Sequence, residues 1–144
     1  MKLIIPVVDN KEAKHIIAKG FHNTNYVCIY DSLLDTYEWV EKKEISVKEG
    51  NLCIQLKLKG IYNIITSDIE LMTLALFTEV GLKVSKAIGL SVEENIKMFF
   101  NNGLNVFTYR DAMGVIEEIT EPVDVFSVSC NFSVDLDNSQ VKIS

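Results

Sequence analysis

The 144-residue sequence predicts an α/β domain, and three observations predict it. Residues 62–88 read as strand, short helix and strand, which is a βαβ unit. Residues 2–8, KLIIPVV, are an apolar, β-branched run that suits a central strand covered on both faces. Ser91-Val92-Glu93-Glu94 places a glutamate three residues after a serine, the spacing of a capping box at a helix start.

The elements follow in order. Asp9-Asn10 ends the first strand as a turn pair. Pro6 cannot donate to a ladder, so a bulge or strand end is expected beside it. Residues 11–19, KEAKHIIAK, predict one or two helical turns closed by Gly20. Residues 25–30 and 36–45 read as a hairpin about the turn 31–35, with the charged run 41–44 on its solvated end. In 51–59, Leu52, Ile54, Leu56 and Leu58 alternate with Cys53, Gln55, Lys57 and Lys59. The period favours a strand, while the strand that follows Gly60 at once favours a helix, and the sequence leaves both open. Ser67-Asp68 offers an N-cap to a helix over 69–80, which Gly81 ends before a strand over 82–88. The helix from Ser91 turns Ile96, Phe99 and Phe100 to one side and stops at Gly103.

The last forty residues differ in character. Phe126, Val128, Cys130, Phe132, Val134 and Leu136 alternate strictly with polar residues, predicting a half-buried antiparallel strand over 125–136. Residues 141–143 are expected to pair back on it as a hairpin. Exposing that stripe would forgo on the order of 10 kcal/mol, at about 1.5–3 kcal/mol per large side chain. The strand is therefore expected to pack on the domain, and a two-fold homodimer through or near it is expected.

Composition excludes several classes. Hydrophobic residues at 48% and charged residues at 24% are a globular balance, not a disordered one. Fourteen basic against twenty acidic residues leave a net charge of −6, which repels phosphate backbones and argues against nucleic acid as a partner. No apolar run approaches the roughly 20 residues of a membrane span, and the opening run lacks a secretory cleavage site. No membrane partner and a cytoplasmic location are expected. Three cysteines without a CxxC spacing argue against a disulfide scaffold.

Three stretches carry a resemblance: KLIIPV, GFHNTNYVCIYD, and YNIITSDIELMTLALFTEVGLKVSKAIGLSVEENIKMFFNNGL. Over residues 1–104 they resemble the dinitrogenase iron–molybdenum cofactor biosynthesis family, which includes the NifX/NafY-like carrier proteins. Strand order, Gly81, the Ser91–Glu94 helix start and the Phe-rich last helix match in register. The resemblance implies a ribonuclease-H-like fold, a mixed sheet flanked by helices over 1–104. Residues 105–144 would be a C-terminal β extension, an extra strand or hairpin packed on the same domain. It also implies a non-enzymatic binding or carrier role, an iron–sulfur or iron–molybdenum-type cluster as cofactor, and a metallocluster-assembly protein as partner.

The sequence departs from the family at its ligand motifs. The family's HFG stands here as Gly20-Phe21-His22, and its TGxIG as Thr66-Ser67-Asp68-Ile69-Glu70, without either glycine. Its glycine-rich segment shrinks to Glu49-Gly50-Asn51. Glycine lets the backbone approach a bulky ligand, and Glu70 would set negative charge beside an anionic cluster. The resemblance thus implies a kept scaffold whose ligand is changed or lost. A protein–protein interaction module without a ligand site is the alternative.

Any ligand is expected between the loop 20–25 and the segment 67–70, which face the carboxyl ends of strands. The cofactor-binding candidates are His22, Phe21, Ser67 and Asp68, and the metal-ligand candidates are His22 and Cys53. Against this, His22 also reads as an exposed loop histidine, and His15 as a surface or half-buried helical one. Cys28 and Cys130 read as small hydrophobes on apolar strands. Nuclease carboxylates would be Asp9, Asp31, Asp68 and Glu70. Asp9 and Asp31 are simplest as turn residues, however, and Asp68 as a cap. No phosphate loop or nucleophile elbow is present, and an enzyme is not expected.

Overall fold

The computed structural model describes residues 1–46 and 51–113, and Met1–Ala112 form one compact unit. Its centre is a five-stranded sheet in the order β3-β2-β1-β4-β5, comprising β1 (Lys2–Val7), β2 (Tyr26–Asp31), β3 (Thr36–Glu41), β4 (Ile61–Thr66) and β5 (Lys83–Lys86). β1 pairs antiparallel with β2, and β2 with β3, whereas β1, β4 and β5 run parallel. The sheet is therefore mixed, with helices on its faces, as the sequence led one to expect. The expected strand over 125–136, the pairing of 141–143 and Cys130 lie outside the described residues.

β1 is central because Leu3, Ile4, Ile5 and Val7 are all fully buried, which only a strand covered on both faces permits. No bulge forms at Pro6, and the register shift on β1 falls between Lys2 and Leu3, against β4. Pro6 pairs in register with Val27, and its carbonyl accepts from Ala18 N at 2.9 Å. Its polar groups thus point away from β2 and past Ile4, where the pairing with β4 ends. The missing N–H interrupts no bond of the β1–β2 ladder.

The helical turns expected over 11–19 do not form. The Asp9 carboxylate accepts from the backbone N–H of Lys11 and Ala13, which folds the chain into a tight turn instead. Ile17 then bridges Val7, and Ile16 bridges Ser91. Gly20 has φ −170°, an extended conformation rather than a helix cap. After β3 the chain leaves the expected strand early, at α1 (Lys42–Ile45).

Residues Leu52–Leu58 are a helix, α2, which resolves the open choice. Leu52, Cys53 and Leu56 lie on its buried side. The following helix, α3 (Leu71–Glu79), starts two residues later than expected, and Asp68 is not its cap. The Asp68 carboxylate instead accepts from Ile69 N, and its carbonyl from Thr66 Oγ1. At its far end Gly81 sits at φ +94°, with Leu82 N bonded to Phe77 O and Gly81 N to Thr78 O. This Schellman closure needs a left-handed residue, which glycine supplies without strain.

Ser91 caps α4 (Val92–Phe100) as its spacing foretold, accepting from Glu94 N at 3.2 Å. Its left-handed terminal residue is Asn102, with Gly103 one place further on. Phe100 faces solvent, and the position that sequence reasoning passed over is Asn95, fully buried on the helix underside. The chain then returns to the sheet edge, where Val106 bridges Ser85 and Phe107 is buried, before α5 (Tyr109–Met113). The sheet separates two cores. α2 and α3 cover one face, with Ile4, Ile61 and Ile64, and α4 covers the other, with Leu3, Ile5 and Ile65. No helix of the described residues is long and apolar enough to cross a membrane.

Candidate functional site

The chain leaves the carboxyl ends of β1 and β4 and forms two walls of a cleft there. One wall is the loop around a single 3₁₀ turn, Phe21–Asn23, and the other is the segment that leads into α3. The cleft holds about 210 Å³ and is lined by Lys19, Gly20, Phe21, His22, Asn23, Asp68, Ile69, Glu70 and Thr73. It lies where an open α/β sheet presents its crevice.

Phe21 anchors the first wall. It is buried, and its ring meets Phe77 of α3 edge-on at 5.9 Å. The Lys42 ammonium donates to the Phe21 carbonyl at 2.5 Å and ties α1 to the loop. Gly20 sits against the second wall so closely that a Cβ there would stand 2.9 Å from the Asp68 carbonyl. Glycine is needed at this point for backbone packing, and the space it leaves is taken by the chain itself.

His22 reaches across the cleft. Its Nε2 lies 3.2 Å from Glu70 Oε1 and 3.3 Å from Thr73 Oγ1. Glu70 and Thr73 stand three residues apart at the start of α3, so both turn to the same side. A second cavity of about 260 Å³ adjoins the first and shares Phe21, His22, Glu70 and Thr73 with it. Its other walls are Lys42, Leu52, Cys53, Leu76 and Phe77. His22 and Cys53 thus face one cavity, although Cys53 is a buried residue of α2 rather than of a loop. Ser67 is not among the residues that line either cavity.

Sequence reading assigned His22, Phe21 and Asp68 to one ligand region, and all three line the first cleft. It missed Thr73, although the i, i+3 spacing from Glu70 was a usable signal once α3 was assigned. It read Glu70 as a charge against a ligand, whereas Glu70 is the residue that His22 meets. His15 is exposed on a turn, edge-on to Trp39 at 5.2 Å, away from this cleft. Asp9 and Asp31 each accept backbone N–H bonds as turn residues.

The donors do not fit an iron–sulfur or iron–molybdenum-type cluster. Such clusters are held chiefly by thiolates, and one buried cysteine stands here beside one histidine. Among the described residues no three His, Cys, Asp or Glu side chains converge on one point. Asp68 and Glu70 would also repel an anionic cluster.

No family model and no curated protein sequence matches the chain. Solved structures do match. A Thermotoga protein named as a NifB candidate of the DUF35 family is 24% identical, with a TM-score of 0.57, over 74% of this chain and 96% of that one. The apo form of the orange protein from Desulfovibrio gigas is 15% identical, with a TM-score of 0.58, over 74% of this chain and 92% of that one. A dinitrogenase candidate from Methanocaldococcus jannaschii is 20% identical, with a TM-score of 0.54, over 75% of this chain and 95% of that one. At these identities the likeness is one of fold.

Proposed function

We propose that this chain is a non-enzymatic binding protein of the nitrogenase-related accessory kind, whose ligand is a divalent first-row metal ion or a small complex of one. The observation that carries the reading is the His22–Glu70 pair, 3.2 Å apart at the junction of the two cavities. Two donors that ligate one ion at about 2.1 Å stand about 3.2 Å apart when the angle between them is near 100°. Imidazole and carboxylate suit such ions, and their combined charge attracts a cation rather than a polyanion. Two protein donors leave coordination positions for water or for the ligand's own atoms. That arrangement suits a carrier that takes up and releases its cargo. The names borne by the fold's solved neighbours support an accessory role of this kind.

Titration with Co²⁺, followed by visible absorption and calorimetry, tests the proposal. The wild-type chain should bind one ion. His22→Ala and Glu70→Gln should each weaken it about tenfold or more, the cost of one charged contact at about 1.5–3 kcal/mol. Absence of uptake by the wild-type chain would overturn the reading in favour of an interaction module. Equal uptake by His22→Ala would remove the histidine from the site.

A further inference from the structure

Helix α3 presents a graded stripe to the site. Glu70, Thr73, Leu76 and Phe77 stand at i, i+3, i+6 and i+7, so they follow one another down one side of the helix. The stripe begins with a carboxylate and a hydroxyl and continues as hydrocarbon. The first cavity is lined only by its polar end, Glu70 and Thr73, whereas the second, of about 260 Å³, is lined by all four. The polar end is where His22 Nε2 meets Glu70 Oε1 and Thr73 Oγ1, at 3.2 and 3.3 Å.

Past that end the second cavity is walled by hydrocarbon. Leu52, Cys53 and Phe77 are buried residues on its lining, and Leu76 joins them from α3 while remaining 44% exposed. A cavity of about 150 Å³ with such walls takes a benzene ring, so this one has room for a ring. The ammonium on its lining is that of Lys42, which donates to the Phe21 carbonyl. A bare divalent ion gains nothing from a hydrocarbon wall and is repelled by the lysine. An organic carboxylate uses both.

We infer that the ligand is a chelate, one divalent ion held by an organic carboxylate that carries an apolar arm; the inference rests on the metal-binding role proposed for His22 and Glu70. The ion sits at those two side chains, which replace two of its waters. The chelator fills other coordination positions, and its arm lies along Leu76 and Phe77 in the second cavity. Lys42 offsets the charge of its carboxylates. Such a site selects the loaded chelator over either part alone. The ion needs the polar end of the stripe, and the arm needs the apolar end.

Calorimetric titration of the full chain with Co²⁺, with its one-to-one methyliminodiacetate complex and with its benzyliminodiacetate complex tests it. Each chelator is tridentate, so an octahedral ion keeps positions for His22, Glu70 and a water. The benzyl complex should bind about tenfold or more tighter than the methyl one, from burial of one ring. Metal-free benzyliminodiacetate should bind about tenfold or more weakly than its complex. Leu76→Gln should bring the two complexes to within about threefold of each other, with an unchanged circular dichroism spectrum. Uptake of Co²⁺ with equal affinity for the two complexes would overturn the inference and leave the metal-binding role intact. So would a full benzyl preference that survives Leu76→Gln, since the arm would lie elsewhere, or metal-free chelator that binds as tightly as its complex. Absence of uptake of Co²⁺ and of both complexes would overturn the metal-binding role, and the inference with it.

Discussion

Cys28 stands on β2 without exposure, and burial pushes its thiol up from an ordinary value near 9 to about 12. The sign of the resulting linkage follows directly. Between about pH 9 and 12 the unfolded chain loses this proton while the folded one keeps it. The buried thiol's contribution is therefore complete below about pH 9 and is lost as pH rises toward 12. Urea melts at pH 8 and pH 10 should show a steeper loss of stability for wild type than for Cys28→Ala, and parallel slopes would refute this. Asn95 is the other residue whose role is set by burial. Its Oδ1 accepts from Ile88 N at 2.8 Å, and its Nδ2 donates to the Ile88 and Ser91 carbonyls. Asn95→Leu should cost about 2–4 kcal/mol in urea melts, because it leaves buried backbone groups unpaired. Ser91→Ala removes one cap bond and should cost about 1 kcal/mol. A smaller loss for Asn95→Leu than for Ser91→Ala would contradict this account. The cap was legible as a four-residue motif, whereas Asn95 reads as an ordinary helical asparagine until the loop 88–91 folds over it.

At the scale of elements, the two helix ends make a matched pair. Gly81 carries φ +94° itself, whereas α4 puts Asn102 at φ +59°. Gly81→Ala should cost about 1–2 kcal/mol, the penalty of a left-handed residue with a Cβ. Asn102→Gly should be near neutral, because asparagine already tolerates that conformation. Thermal melts that lower both midpoints equally would refute the assignment. Helix and strand types were legible where a terminal signal accompanied the period, as at Ser91 and Gly81. Leu52–Leu58 shows the reverse case, since its alternating leucines fit a strand. What decides for helix is that Leu52, Cys53 and Leu56 must all turn to the core beside β4. In 11–19 the local helical pattern loses to the Asp9 turn and to bridges with Val7 and Ser91, which are contacts across the fold.

For the whole molecule, the arrangement of layers makes a direct claim about β4. Ile64 and Ile65 are neighbours in sequence and both fully buried, yet they belong to different cores on opposite faces of the sheet. Ile64→Ala and Ile65→Ala should each cost about 2–5 kcal/mol in chemical denaturation. A near-neutral effect of either one would show that its face of the sheet is uncovered.

The sequence by itself determined the class of this protein: its central strand, its βαβ unit and the helix capped at Ser91. Those features rest on local periodicity and on caps within a few residues of one another. It also placed His22 and Asp68 at the ends of strands, since a βαβ unit carries its crevice there. Only the tertiary structure decided that Glu70 and Thr73 are what His22 meets, and that Cys53 faces the same cavity from α2. It also decided that Ile54 and Leu58 on α2 and Met72 on α3 stay exposed while Leu52, Cys53, Leu56, Leu74 and Phe77 of the same helices enter the core. The physical reason is separation along the chain. His22 and Thr73 lie 51 residues apart, and no local pattern encodes a contact made when β1 and β4 pair side by side.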